Sequence, residues 1–147
     1  MNKINYLSDC NKNNIPYFSF CGNEYECKCV DVYDGDTITV VFKPFIGLDF
    51  YKFRIRLSEI DTPEIKTHNI KEKELGIYVR DFLRELILDK LIKIKCGEFD
   101  KYGRLLAYVY LKDCDNMSPE NSINHLLVKK NYAKIYDGGK KIQWVFD

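Results

Sequence analysis

The chain has 147 residues, 46% of them hydrophobic, and sets 23 Lys and Arg against 22 Asp and Glu for a net charge of +1. That length suits one domain with a real core. The near-neutral balance excludes a protein that coats polyanions through a global positive field, so any nucleic-acid contact has to come from a few cations set in one cleft.

Residues 1–24, rich in Asn, Lys and Ser and without a period, are expected to form an extension. Its aromatics Tyr17, Phe18 and Phe20 are expected to dock on a domain spanning 25–147. Nothing in 1–22 forms the apolar core of a secretory signal, and no apolar run approaches the ~20 residues that cross a bilayer, so an intracellular, membrane-free protein is expected. From Tyr25 the pattern is strand-like. Cys27–Val32 alternates, Asp34-Gly35 breaks the alternation as a tight turn, and Thr37–Phe42 is a β-branched run.

A longer connection over 43–49, with Pro44 and Gly47, leads to a third strand, Phe50–Ile60. There Phe53, Ile55 and Leu57 alternate with Arg54, Arg56 and Ser58 until Pro63 ends the run. Residues 65–73 read as a charged, solvated loop. The spacing of Leu75, Val79, Phe82, Leu83 and Leu86 predicts a helix over about Glu74–Asp89, in which Gly76 is an ordinary penalty of ~1 kcal/mol. Leu91–Cys96 and Leu105–Leu111 are two more strands joined through Asp100–Gly103. Ser118-Pro119 supplies cap and first residue of a second helix whose apolar face is Ile123, Leu126 and Leu127. The order β-β-β-α-β-β-α predicts an α+β fold: a five-stranded OB-type Greek-key barrel with two helices. In the tail, Trp144 and Phe146 are expected to pack across the barrel.

Six cysteines stand at 10, 21, 27, 29, 96 and 114. Cys10, Cys21, Cys27 and Cys29 lack a CxxC pair, and neither His68 nor His125 lies near them, so reduced thiols are expected rather than a zinc site. Cys27 and Cys29 share one strand face as small buried hydrophobes.

Three separated blocks carry chemistry: Asp34-Gly35-Asp36-Thr37, Arg56–Glu64, and Asp100-Lys101-Tyr102-Gly103-Arg104. A phosphodiester repels nucleophiles with its own charge, and its transition state carries still more, so cleavage needs positive charge at the phosphoryl oxygens and a source of hydroxide. Asp36 and Asp61, each at a strand end beside a turn, are the candidate metal ligands. An all-oxygen site with few protein ligands suits one Ca²⁺, with Mg²⁺ or Mn²⁺ as substitutes. Asp34 is placed to orient waters or the turn. Glu64 is the candidate general base, and Arg56 and Arg104 are the candidate phosphate clamps. Lys101 and Tyr102 are candidates for contact with a neighbouring phosphate or base. Each block has a plainer reading on its own: a hairpin turn, a Thr-Pro-Glu helix start, arginines on a strand surface. Their types, order and spacing together favour a site.

The segments VYDGDT (Val32–Thr37), IRLSEIDTPE (Ile55–Glu64), FDKYGRLLAYVY (Phe99–Tyr110) and INHLLVKKNYAK (Ile123–Lys134) resemble the staphylococcal nuclease, or thermonuclease-like, family over about Cys29–Lys134. The resemblance implies calcium-dependent hydrolysis of DNA and RNA with little base specificity, departure of the 5′-oxygen, and the Thr62 carbonyl as a third metal ligand. It implies base stacking near Tyr132 and Tyr136, although Tyr-Ala-Lys-Ile-Tyr-Asp does not align cleanly. The tail is too short for the third helix typical of the family, and a monomer is expected. Relatives of this fold also include inactive OB modules that bind nucleic acid or a protein partner. Such a module has little use for the acids present here.

Overall fold

The computed structural model describes residues 3–47 and 49–146, so Met1, Asn2, Leu48 in the 43–49 connection, and Asp147 lie outside the described residues. Five strands form a ring: β1 (Glu24–Val32), β2 (Thr37–Phe42), β3 (Tyr51–Leu57), β5 (Leu91–Phe99) and β6 (Leu105–Leu111). The pairs β1–β2, β2–β3, β5–β6 and β1–β5 are antiparallel. A short parallel seam between β3 and β6, Ile55–Leu57 against Leu105–Ala107, closes the ring. This is the expected five-stranded OB-type barrel, and closure leaves no long strand edge unpaired. Alternation puts Val32, Ile38, Val40, Ile55, Leu57 and Ile94 wholly inside, each such side chain contributing ~1.5–3 kcal/mol on burial. Cys27, Cys29 and Cys96 join this core, and all six cysteines are free thiols. Burial pushes the Cys27 thiol up to about 12 and those of Cys29 and Cys96 up to about 11, so the three inner thiols stay protonated and apolar.

The third strand stops at Leu57 rather than running to Ile60. Glu59 adopts a left-handed φ of 65°, which a side chain disfavours, and the chain breaks away there. Ile60–Asp61 becomes a separate two-residue strand, β4, paired with β7 (Lys134–Ile135). The first helix, α1 (Ile70–Ile87), starts four residues before the expected Glu74. Asn69 is its cap, accepting the Glu72 N–H at 3.1 Å, so the charged stretch 70–73 is a first turn rather than loop. Val79, Leu83 and Ile87 carry its buried face, with Leu75, Phe82 and Leu86 packed beside them.

Ser118-Pro119 opens only a 3-10 turn, Pro119–Asn121, with no side-chain cap bond from Ser118. The helix proper, α2 (Ile123–Lys129), is capped by Ser122, whose hydroxyl accepts the His125 N–H at 3.0 Å. Of the expected apolar face Ile123 and Leu127 are buried and Leu126 is half-buried, while the polar Asn124 is buried with them.

Of the extension's aromatics, Phe20 is buried in a cluster with Tyr25, Phe42, Phe53 and Phe99, at centroid distances of 5.8–6.3 Å. Phe18 packs edge-on against it at 4.8 Å, and Tyr17 is fully exposed. The tail 136–146 contains no helix. Trp144 and Phe146 stack on each other at 6.4 Å and are half-buried rather than part of the core. No helix among the described residues is long and apolar enough to cross a membrane.

Candidate active site

Strand pairing gathers the three blocks. The β2–β3 register sets Thr37 opposite Arg56, and the Leu57 N–H donates to the Asp36 carbonyl at 2.9 Å, so Asp36 lies beside Arg56. The parallel seam sets Ile55 opposite Leu105, which brings Arg104 alongside; its Nη1 lies 3.4 Å from Thr37 Oγ1. Asp61 reaches the same place because the Glu59 break turns the chain back and β4 fixes it against β7. Asp34, Asp36, Arg56, Glu64, Lys101, Tyr102 and Arg104 line one cleft of ≈ 1550 Å³.

At its base is a buried charge cluster: Asp36, Arg56 and Asp61 are 7%, 6% and 5% exposed. Strand alternation points Arg56 away from the core, but Asp36 and Asp61 cover it, so it is not a surface arginine. Its Nη1 donates to the Leu57 carbonyl at 2.8 Å, and its Nη2 lies 3.4 Å from Asp36 Oδ2 and 4.0 Å from Asp61 Oδ1. Charges so buried are tolerated only when paired. Asp36 Oδ2 also accepts the Thr62 N–H at 3.2 Å and the Thr62 hydroxyl at 3.0 Å. Thr62 thus serves the site with its donors and does not cap a helix, since α1 begins at Ile70.

Gly35 is required by packing rather than by turn conformation. A Cβ there would lie 2.7 Å from Val79 Cγ1 and 2.9 Å from Thr62 Cγ2. The loop therefore presses against α1, and Asp34 is buried enough that desolvation, reinforced by the Asp36 charge, pushes its carboxyl up to about 7.

Arg104 is aimed by its own turn. Gly103 takes a φ of 80°, and the Asp100 carboxylate accepts the backbone N–H of Tyr102 and of Arg104, each at 2.9 Å, and Arg104 Nε at 2.8 Å. Arginine has five N–H donors, so the outer nitrogens stay available to the cleft. Tyr102, 70% exposed, lies beside this guanidinium, with 5.5 Å from ring centroid to Arg104 Cζ and 5.2 Å to Lys101 Nζ. Of the two tyrosines near the second helix, Tyr136 lines the cleft. Tyr132 does not, packing instead against Tyr78 and Phe82 of α1 at 5.4 and 5.3 Å.

Glu64 stands on the rim with its side chain half-exposed, and its backbone is held from α1. Its N–H donates to the buried Glu72 carboxylate at 2.8 Å. Gly76 is no idle helix penalty, because a Cβ there would lie 2.8 Å from the Pro63 carbonyl oxygen and 3.0 Å from that of Glu64.

Two residues that sequence patterns did not single out also shape the site. Asn124 of α2 donates to the carbonyls of Ser58 (3.0 Å) and Ala107 (3.2 Å) and accepts the Val109 N–H (3.0 Å). It thereby ties the turn before Asp61 to the barrel. A polar residue inside an apolar helix face was the available signal. Lys141, in the irregular tail, puts its ammonium 3.2 Å from Asp61 Oδ1 and 3.3 Å from Glu64 Oε1. Partial burial disfavours its charge, but the two carboxylates outweigh that and raise its pKa. Nothing in the tail's sequence marked it.

The donor set fits a hard cation. Asp61 Oδ1 is buried, and its near neighbours are positive: Lys141 Nζ at 3.2 Å and Arg56 Nη2 at 4.0 Å. Together with Asp36 it offers oxygen ligands alone, the chemistry of Ca²⁺ or Mg²⁺. Among the described residues no group of three His, Cys, Asp or Glu side chains is arranged to hold a metal ion.

Residues 54–143 match the family model described as staphylococcal nuclease homologue. An uncharacterized protein of Methanocaldococcus jannaschii is 30% identical over 144 residues, covering 84% of this chain and 65% of its own length. An uncharacterized endonuclease of Escherichia coli O157:H7 is 32% identical, covering 75% and 60%. The thermonuclease of Staphylococcus hyicus is 33% identical over 91 residues, covering 60% and 50%. The chain thus spans about half to two thirds of the length of these relatives. With the family model covering more than half of its residues, and with the barrel and its charged cleft in hand, this chain belongs to the family of staphylococcal nuclease homologues.

Proposed function

We propose that this chain is a calcium-dependent nuclease that hydrolyses phosphodiester bonds of DNA and RNA with little base specificity. The observation that carries the reading is that Asp36, Arg56, Glu64 and Arg104 line one cleft, with Asp61 buried 4.0 Å from Arg56 Nη2 behind them. The names of the relatives, endonuclease and thermonuclease, support it. Asp36, Asp61 and the Thr62 carbonyl would hold the cation, which when bound adds positive charge at a phosphoryl oxygen and at the attacking water.

The remaining steps belong to side chains. Arg56 and Arg104 grip the phosphate from two sides and favour the more highly charged transition state. Glu64 takes the proton of a water aimed at phosphorus in line with the 5′-oxygen, which departs and leaves a 3′-phosphate. Lys101 and Tyr102 position the next phosphate or base. All these groups come from one chain, so a monomer suffices. Residues 25–147 serve as the catalytic domain behind an extension over 1–24, acting inside the cell.

A plasmid-nicking assay with Ca²⁺, repeated with chelator and with Glu64→Gln, tests the reading. Cleavage should need the ion and fall by ~10²–10⁴ in the variant. Tight binding of nucleic acid without ion-dependent cleavage would instead mark a binding module.

A further inference from the structure

We propose that Lys141 is a tethered counter-ion of the cation site: its ammonium holds Asp61 and Glu64 until a divalent cation binds, and is then expelled together with the tail that carries it. The inference rests on the proposed cation site and adds a residue that the cleavage chemistry does not itself require.

Asp61 Oδ1 is the pivot. It is buried and has Lys141 Nζ at 3.2 Å. An oxygen in that condition attracts cations: Arg56 Nη2 already stands 4.0 Å away, and a further positive ion arriving while Lys141 remains would be strongly repelled at such short range. A doubly charged ion outcompetes one ammonium there, whereas a monovalent ion gains no such advantage.

The tail is built to let go. It is anchored where β7 pairs with β4 and where the Tyr136 N–H donates to the Glu59 carbonyl at 2.8 Å. Beyond that point its bonds are mostly local. Gly138 turns at a φ of 92°, the Gly139 N–H donates to Asp137 Oδ1 at 2.9 Å, and the Tyr136 hydroxyl donates to the Gly139 carbonyl at 2.6 Å. Residues 137–143 are all exposed, so lifting Lys141 disturbs no core, and segments of this kind open at low free-energy cost.

The same movement frees Glu64. While Lys141 Nζ lies 3.3 Å from Glu64 Oε1 the carboxylate is engaged by a cation; once the ammonium leaves, that oxygen can accept a proton from water. Arrival of the ion and availability of the base are thereby linked through one side chain, and Lys141 acts as a positioning residue.

The chain's one tryptophan, Trp144, reports the movement. It sits three residues beyond Lys141, with Lys134 Nζ 4.6 Å from its ring and the same amine donating to the Gln143 carbonyl at 2.9 Å. The experiment is calorimetric titration of the full chain with Ca²⁺, without nucleic acid, while Trp144 emission is recorded, for the parent, Lys141→Gln and Asp61→Asn. Lys141→Gln should bind Ca²⁺ about three- to fivefold more tightly, the scale of losing a competing half-exposed ion pair. Ca²⁺ should shift Trp144 emission in the parent and much less in Lys141→Gln, whose tail is already released. If parent binding depends on Asp61 but Lys141→Gln binds no more tightly, or the parent emission does not respond, the role of Lys141 is overturned and the cation site stands. If the parent binds no Ca²⁺, or Asp61→Asn binds it equally well, the site itself falls and the proposal with it.

Discussion

The buried carboxylate of Glu72 accepts the backbone N–H of Glu64 at 2.8 Å. One acid in the first turn of α1 thus fixes the main chain of another that faces the cleft. Glu72→Ala removes this acceptor and leaves the N–H of Glu64 without its partner. Cleavage should fall by about tenfold to a hundredfold, the scale of an ångström-sized misplacement. Glu72→Gln, which keeps an acceptor oxygen, should recover most of the rate. Parallel single-turnover rates for the two variants measure the difference.

Gly76→Ala should reverse the usual helix rule. In an open helix the change stabilises by ~1 kcal/mol, but here the added carbon would sit 2.8 Å from the Pro63 carbonyl oxygen. We expect a net loss of about 1–3 kcal/mol and slower cleavage, because the displaced backbone is that of Pro63 and Glu64. Urea denaturation midpoints with unchanged slope would check the first part.

Asn124→Ala takes its partner from the Ser58 carbonyl and from the Val109 N–H, while the Ala107 carbonyl keeps the Ser58 N–H at 2.9 Å. Unsatisfied buried groups cost about 1–3 kcal/mol each before relaxation or water entry. A fall in stability of at least ~2 kcal/mol is expected, seen as a lower thermal midpoint. Asn124→Asp keeps the acceptor but loses both donated bonds, and should also be destabilised.

Asp100 provides a pH test. Burial opposes its charged form, but the backbone N–H groups of Arg104 and Tyr102 and then the Arg104 guanidinium prevail and hold its pKa below the ordinary value. A carboxylate depressed in the folded state contributes stability that is fully present above its unfolded pKa, near 3.9, and is lost as pH falls through the folded value. Asp100→Asn should therefore be less stable than the parent by ~1 kcal/mol at pH 7, with the gap closing below about pH 4. Stability curves at pH 7 and pH 3 decide it.

Much of this was legible in the residues because it depends on short periods. Alternation marks the barrel strands, and the three charged blocks lie where strands meet turns, so closing the barrel collects them. What escaped depends on contacts between distant parts of the chain. Glu59 leaves the strand region although its neighbours alternate correctly, so one long alternating run holds two separate strands. Lys71, Glu72 and Lys73 look like solvated loop until Asn69 is seen capping them. Gly76 and Gly35 look like local backbone choices, yet both are close approaches to partners remote in sequence. Lys141 lies in a tail without any period, and only three-dimensional proximity brings it to Asp61 and Glu64.

The parallel contact of Ile55–Leu57 with Leu105–Ala107 is three residues long, yet Arg56 sits inside it and Arg104 borders it. Each flanking hairpin can zip up from local pairing, but neither contains both arginines. A nascent or partly unravelled molecule with its hairpins intact would hold the guanidinium groups apart and be inert toward a phosphate chain. Under the proposed activity, competence would require this joint to be closed, so the return of cleavage during refolding would report its closure.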